Sequence, residues 1–142
     1  MIEIDLETIE ETAEKVVDKD WGKEIWLVNN ESYCSKILEL ADGYRCSYHY
    51  HNIKKETFKI LRGTVLMKFN EDYRLMQVGD FIEINPGDIH SFTGLEASLI
   101  LESSTHHEDS DSIRLTKSGK VPDEEFKELI EKYLPTKKFS EL

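Results

Sequence analysis

From residue 24 to residue 103 the chain is a succession of short runs rich in β-branched, aromatic and aliphatic residues. The runs cover 24–29, 34–40, 45–51, 56–61, 64–69, 74–78, 81–84, 90–93 and 97–103, and their apolar residues recur with a period of two. That period belongs to a strand, whose successive side chains leave opposite faces. Between the runs stand Asn29-Asn30, Asp42-Gly43, Arg62-Gly63, Asn70-Glu71-Asp72, Gly79-Asp80, Pro86-Gly87 and Gly94, residue types that supply tight-turn conformations. Such a chain folds as successive hairpins, and about eight short antiparallel strands close into a barrel or a double-sheet jelly roll. The fold class is therefore all-β.

Both flanks change period. Residues 5–18 place Leu6, Ile9, Ala13, Val16 and Val17 at helical spacing among acids, and residues 123–134 do the same with Phe126, Leu129, Ile130, Tyr133 and Leu134. The second stretch follows Pro122, carries Asp123, Glu124 and Glu125 where a helix N-terminus favours acids, and meets Pro135 at its end. Two amphipathic helices covering the barrel are predicted. At 142 residues the chain suits one domain, 1–142, with a barrel core at about 21–115. It has no internal repeat, low-complexity tract or linker.

A formal net charge of -11 repels nucleic-acid phosphates and anionic lipid, so neither is expected as a partner. No apolar run approaches the roughly 18 residues of a membrane span. The acidic opening MIEIDLETIEETAEK is unlike an export signal, which makes the cytoplasm the expected compartment and Cys34 and Cys46 reduced thiols. An anionic substrate would need basic groups concentrated at the mouth of its pocket.

The segment from Gly43 to Glu56 contains the most specific chemistry. On a strand, His49 and His51 project from one face as a chelating pair, whereas on a helix they would point roughly 200° apart. Glu56 follows across a short polar turn and can fold back beside them, since imidazoles and a carboxylate together suit a divalent transition metal. His90 comes after a strand and the turn Pro86-Gly87, which re-aims the chain.

These residues resemble the cupin superfamily. Gly43, His49, His51, Glu56 and Gly63 match the first cupin motif in order and spacing, and Gly79, Pro86, Gly87 and His90 resemble the second. The resemblance spans about residues 21–115 and implies a double-stranded β-helix, with His49, His51, Glu56 and His90 holding one divalent transition metal: Zn, Mn, Fe, Ni or Co. A narrower resemblance, carried by Trp21-Gly22, Lys36, Glu56-Thr57-Phe58 and the stretch from Glu102 to Arg114, is to the cupin domain of type II mannose-6-phosphate isomerases. The chain departs from that pattern at His49, where those enzymes usually carry glutamine.

Lys36 shares strand parity with Leu38 and Leu40, so it either enters the barrel as a pocket group or reaches solvent at the strand end. Glu102 closes an apolar run and points either into the cavity or to its rim. Arg114 either clamps a phosphate or carboxylate or is neutralised by Asp109 and Asp111, with the ion pair the simpler expectation. His106 and His107 are expected to be solvated, and Tyr48, Phe58, Phe92 and Trp26 to be core.

The leading expectation is a metal-dependent isomerase or epimerase of a sugar or sugar phosphate. Glu56, Lys36 and Glu102 are its candidate catalytic residues, and Lys36 and Arg114 its candidate substrate-binding residues. The same ligands could hold Fe(II) in a non-haem dioxygenase, or serve a non-catalytic sugar-binding module. The family and the frequency of two-fold symmetry suggest a homodimer.

Overall fold

The computed structural model describes residues 5–136. Along the chain the strands are β1 (Lys15–Lys19), β2 (Gly22–Asn29), β3 (Cys34–Leu40), β4 (Tyr44–Arg45), β5 (His49–His51), β6 (Glu56–Arg62) and β7 (Val65–Phe69). They continue with β8 (Asp72–Met76), β9 (Phe81–Ile84), β10 (His90–Gly94), β11 (Ser98–Ser104), β12 (Ser112–Arg114) and β13 (Gly119–Lys120). Helices α1 (Leu6–Thr12) and α2 (Asp123–Tyr133) flank them.

Two antiparallel sheets result. One runs β1-β2-β3-β11-β6-β9; in the other β10 is central, with β4 and β5 along one side, β7 and then β8 along the other, and β12 and β13 outside β5 and β4. The inward residues of both sheets form the core, which includes Leu38, Phe58, Ile60, Met67, Met76, Phe92 and Ile100. Each helix covers an outer face. Leu6, Ile9 and Ala13 pack on Ile25, Ile37 and Leu99 of the first sheet, and Phe126, Leu129 and Ile130 pack near Leu66 and Leu95 beside the second.

The predicted strands and turns mostly fall where the sequence puts them, and α2 fills the second predicted helix. The first is a correction. Helix covers only Leu6–Thr12, and Lys15–Lys19 is a strand in register with β2, pairing Val16 with Ile25. The Glu14 N–H already bonds the Trp26 carbonyl at 3.0 Å, so the helical ladder is abandoned there. Val16 and Val17 are β-branched and gain more from a cross-strand partner than from one more helical turn. A second correction is the run 45–51, which is interrupted at 46–48 between β4 and β5.

Gly63 turns the chain from β6 into β7 at φ +84°, and a Cβ there would lie 2.4 Å from the Ala97 carbonyl oxygen. Only glycine allows both that backbone and that approach.

Candidate metal centre and its cavity

His90 opens β10 directly opposite His49 in β5, so strand register alone sets two imidazoles side by side. His51 lies two residues along the same strand, and the ring centroids of the three are 4.4 to 5.6 Å apart. Glu56, first residue of β6, enters from the facing sheet. Its Oε1 lies 3.0 Å from Nε2 of both His51 and His90.

Every ring is oriented by the main chain. Nδ1–H of His49 donates to the Ser47 carbonyl at 2.7 Å, that of His51 to Asp111 at 3.0 Å and that of His90 to Asp88 at 3.0 Å. A carbonyl only accepts, so the proton sits on Nδ1, and in the neutral ring Nε2 is left with a lone pair. Facing the Glu56 carboxylate at 3.0 Å, Nε2 of His51 and of His90 either carries a second proton and donates to Oε1 or offers its lone pair to a cation. Both Glu56 Oε1 and His90 Nε2 are buried, and neither makes a well-formed hydrogen bond. Buried acceptor atoms left without a donor are costly, and a cation held among them would satisfy them. One ligand atom from each histidine lies within 4.8 Å of the others, a cluster that could hold a metal ion.

Charge at the site favours the ligand forms. Burial, reinforced by the neighbouring His90, drives His49 down to about 3 and keeps it neutral. Burial opposes ionisation of Glu56, but contacts from His51 and His90 and the ammonium of Lys54 outweigh it and hold the carboxyl well below its usual range.

His49, His51 and Glu56 line a cavity of about 690 Å³, with His90 fully buried beside them. Lys36, 1% exposed, lines it too, with its ammonium 4.1 Å from the Trp26 ring centroid and 3.4 Å from Glu24 Oε1. Glu102, paired with Lys36 across β3 and β11, is also a lining residue. Arg114 is exposed, lies opposite His49 in β12 and reaches the cavity without an ion-pair partner among the described residues. The expected pairing with Asp109 and Asp111 does not form. Asp111 instead accepts backbone N–H bonds from Asn52, Ile53 and Lys54 at 2.9 to 3.2 Å, holding the β5–β6 turn, while Asp109 takes His107.

His107 is a further correction. It is buried, packs edge-on against Trp26, and bonds Lys54 through Nδ1 at 2.9 Å and Asp109 through Nε2 at 2.8 Å. Phe58 and Phe92 belong to the core and also wall the cavity, whereas the Tyr48 hydroxyl turns away to Glu71 at 2.8 Å. The residue that sequence reasoning missed is Lys54, 2% exposed, whose ammonium reaches Glu102 at 2.6 Å and Glu56 Oε2 at 3.4 Å. It stands two positions before Glu56, and that parity was the available signal.

No family model matches the chain, and no curated protein matches it in sequence. Solved structures do match in fold. An RmlC-like cupin from Shewanella frigidimarina aligns with TM-score 0.61 at 11% identity, over 68% of this chain and 86% of its own. KdgF from Halomonas sp. aligns with TM-score 0.59 at 15% identity, over 62% and 81%. Streptomyces PAC13, solved with uridine, aligns with TM-score 0.66 at 11% to 12% identity, over 82% and 92%. The chain has the cupin fold. It is a cupin-fold protein with three histidines, gathered beside a cavity, that could hold a metal ion. Among the described residues no helix is long and apolar enough to cross a membrane.

Proposed function

We propose that this chain is a metal-dependent cupin that isomerises or epimerises a small sugar or sugar phosphate. The observation that carries the reading is the gathering of His49, His51, His90 and Glu56, three of which line a cavity that also holds a buried lysine and a buried carboxylate. One divalent ion, whether Zn, Mn, Fe, Ni or Co, would act there as a Lewis acid on the substrate's oxygens. The residues themselves divide the remaining work. Glu56 is a ligand rather than the base, because Lys54 occupies its second oxygen.

Glu102 serves as the base: its bonds to Lys54 and Ser104 both fall on Oε2, and Oε1 takes the proton from the carbon beside the substrate carbonyl and returns it to the neighbouring carbon. Lys36 donates a proton to the oxygen on which charge develops and takes one back from the neighbouring hydroxyl, so its ammonium is unchanged at the end. Arg114 holds the phosphate or carboxylate of an anionic substrate, and Phe58 and Phe92 give the sugar ring an apolar wall. A homodimer in the cytoplasm completes the reading, and sedimentation tests the oligomeric state.

The decisive experiment incubates the metal-reconstituted protein with mannose or fructose phosphates in deuterated water. Isomerisation with deuterium appearing beside the carbonyl, abolished by Glu102→Gln, is the expected result. Oxygen uptake coupled to turnover would replace this reading with an Fe(II) dioxygenase. Tight sugar binding with neither exchange nor oxygen uptake, across all five metals, would replace it with a binding module.

A further inference from the structure

Lys54 lies outside the four-residue ligand set and outside the roles given above, yet it is among the most buried charged groups of the chain. The turn that carries it is tied down by Asp111, whose carboxylate accepts the backbone N–H groups of residues 52 to 54, and whose carbonyl also orients His51. The lysine is thereby turned into the cavity rather than out to water.

Its ammonium has three protons and three acceptors in reach: Glu102 Oε2 at 2.6 Å, His107 Nδ1 at 2.9 Å and Glu56 Oε2 at 3.4 Å. His107 can accept because its other nitrogen donates to Asp109, whose side chain is 86% exposed. The result is a row of polar contacts from solvent through Asp109, His107 and Lys54 to Glu56, the last of them an ion pair. The two oxygens of Glu56 are divided by it, with Oε1 beside the imidazoles and Oε2 turned to the lysine.

We infer that Lys54 is a positioning residue that restricts Glu56 to a single-oxygen metal ligand, backed by Glu102, His107 and Asp109. With Oε2 held by the lysine, Glu56 would bind an ion through Oε1 alone, leaving room beside it for a substrate oxygen. The ammonium is held between two carboxylates and an imidazole, which keeps Lys54 charged and out of the roles of base and nucleophile. Groups that orient metal ligands typically change metal affinity by about 10- to 100-fold when removed.

This inference rests on the metal reading above, and the test separates the two. Co(II) is titrated into wild type, Lys54→Met and the charge-balanced double variant Lys54→Met/Glu102→Gln, following the visible Co(II) absorption and measuring affinity by chelator competition. Wild type should bind one Co(II); no binding would overturn the metal site and this role with it. Given wild-type binding, both variants should bind about 10- to 100-fold more weakly, with an altered Co(II) spectrum reporting two-oxygen coordination by Glu56. Lys54→Arg should restore part of the affinity. Affinity within twofold of wild type with an unchanged spectrum, in whichever variant folds, would overturn it.

A measurement on wild type alone guards against loss of folding. A buried ammonium held among three acceptors exchanges slowly, so the Lys54 Nζ should give a resolved proton–nitrogen cross-peak that moves when Zn(II) is added. A Lys54 signal that is absent, or that ignores bound Zn(II), would likewise overturn the role.

Discussion

Acid should destabilise the metal-free chain through one imidazole. In the fold, burial depresses His49 from its ordinary 6.5 to about 3. Between these values the unfolded chain takes up a proton that the folded chain refuses, so the unfolded state binds more protons and stability falls as the pH falls. Going from pH 7 to pH 5, the change in the proton-binding balance at 6.5 against 3 amounts to about 2 kcal/mol. Glu56 is also depressed, and its contribution is lost mainly below its ordinary 4.5, so it adds little above pH 5. His107, lowered by burial and by the charges of Lys54 and Lys36, acts in the same window as His49. The assay must therefore compare wild type with His49→Gln, which keeps a donor for the Ser47 carbonyl and does not titrate. With a urea slope of about 2 kcal/mol per molar, the wild-type midpoint should drop about 1 M further than that of the variant between pH 7 and pH 5, in chelator-treated samples. Midpoints that fall in parallel would refute the buried neutral imidazole.

Three further outcomes follow from the same geometry. Zn(II) at about 100 times its Kd should stabilise wild type by about 2.7 kcal/mol, raising Tm by roughly 6–10 °C, and calorimetry should find no such shift in His51→Ala or His90→Ala. Ile100, fully buried between the sheets, should lose about 2–5 kcal/mol on replacement by alanine in urea unfolding, and a loss below about 1 kcal/mol would mean that the core is looser than described. Gly63→Ala should cost more than about 1 kcal/mol by the same measurement, because the new Cβ meets backbone at Ala97 and holds a positive φ.

The barrel was legible in the sequence because alternation, turn residues and strand length all argue for the same local structure. The site's histidines were legible for the same reason: His49 and His51 share a face by parity, and the Pro86-Gly87 turn brings His90 back beside them. What escaped depends on distant partners. Val16 and Val17 satisfy a helical spacing as well as a strand, and only the presence of β2 decides between them. Lys54 and His107 lie in polar stretches that read as solvated, and they are buried because Glu102 meets Lys54 and Trp26 and Asn29 meet His107 across the fold. Arg114 was paired in the reading with neighbouring acids that the turn after β5 and His107 had already claimed.

The tethering of the imidazoles has a consequence for how this site can change over time. No side chain sets the angle of any of the three rings by itself; Ser47, Asp111 and Asp88 each contribute a carbonyl oxygen, which every amino acid carries. Substitution at those positions leaves the acceptor in place as long as the backbone path holds. The aim of the rings is thus stored in the sheet register and the turns, and the rest of the sequence is free to drift until little but the fold remains recognisable.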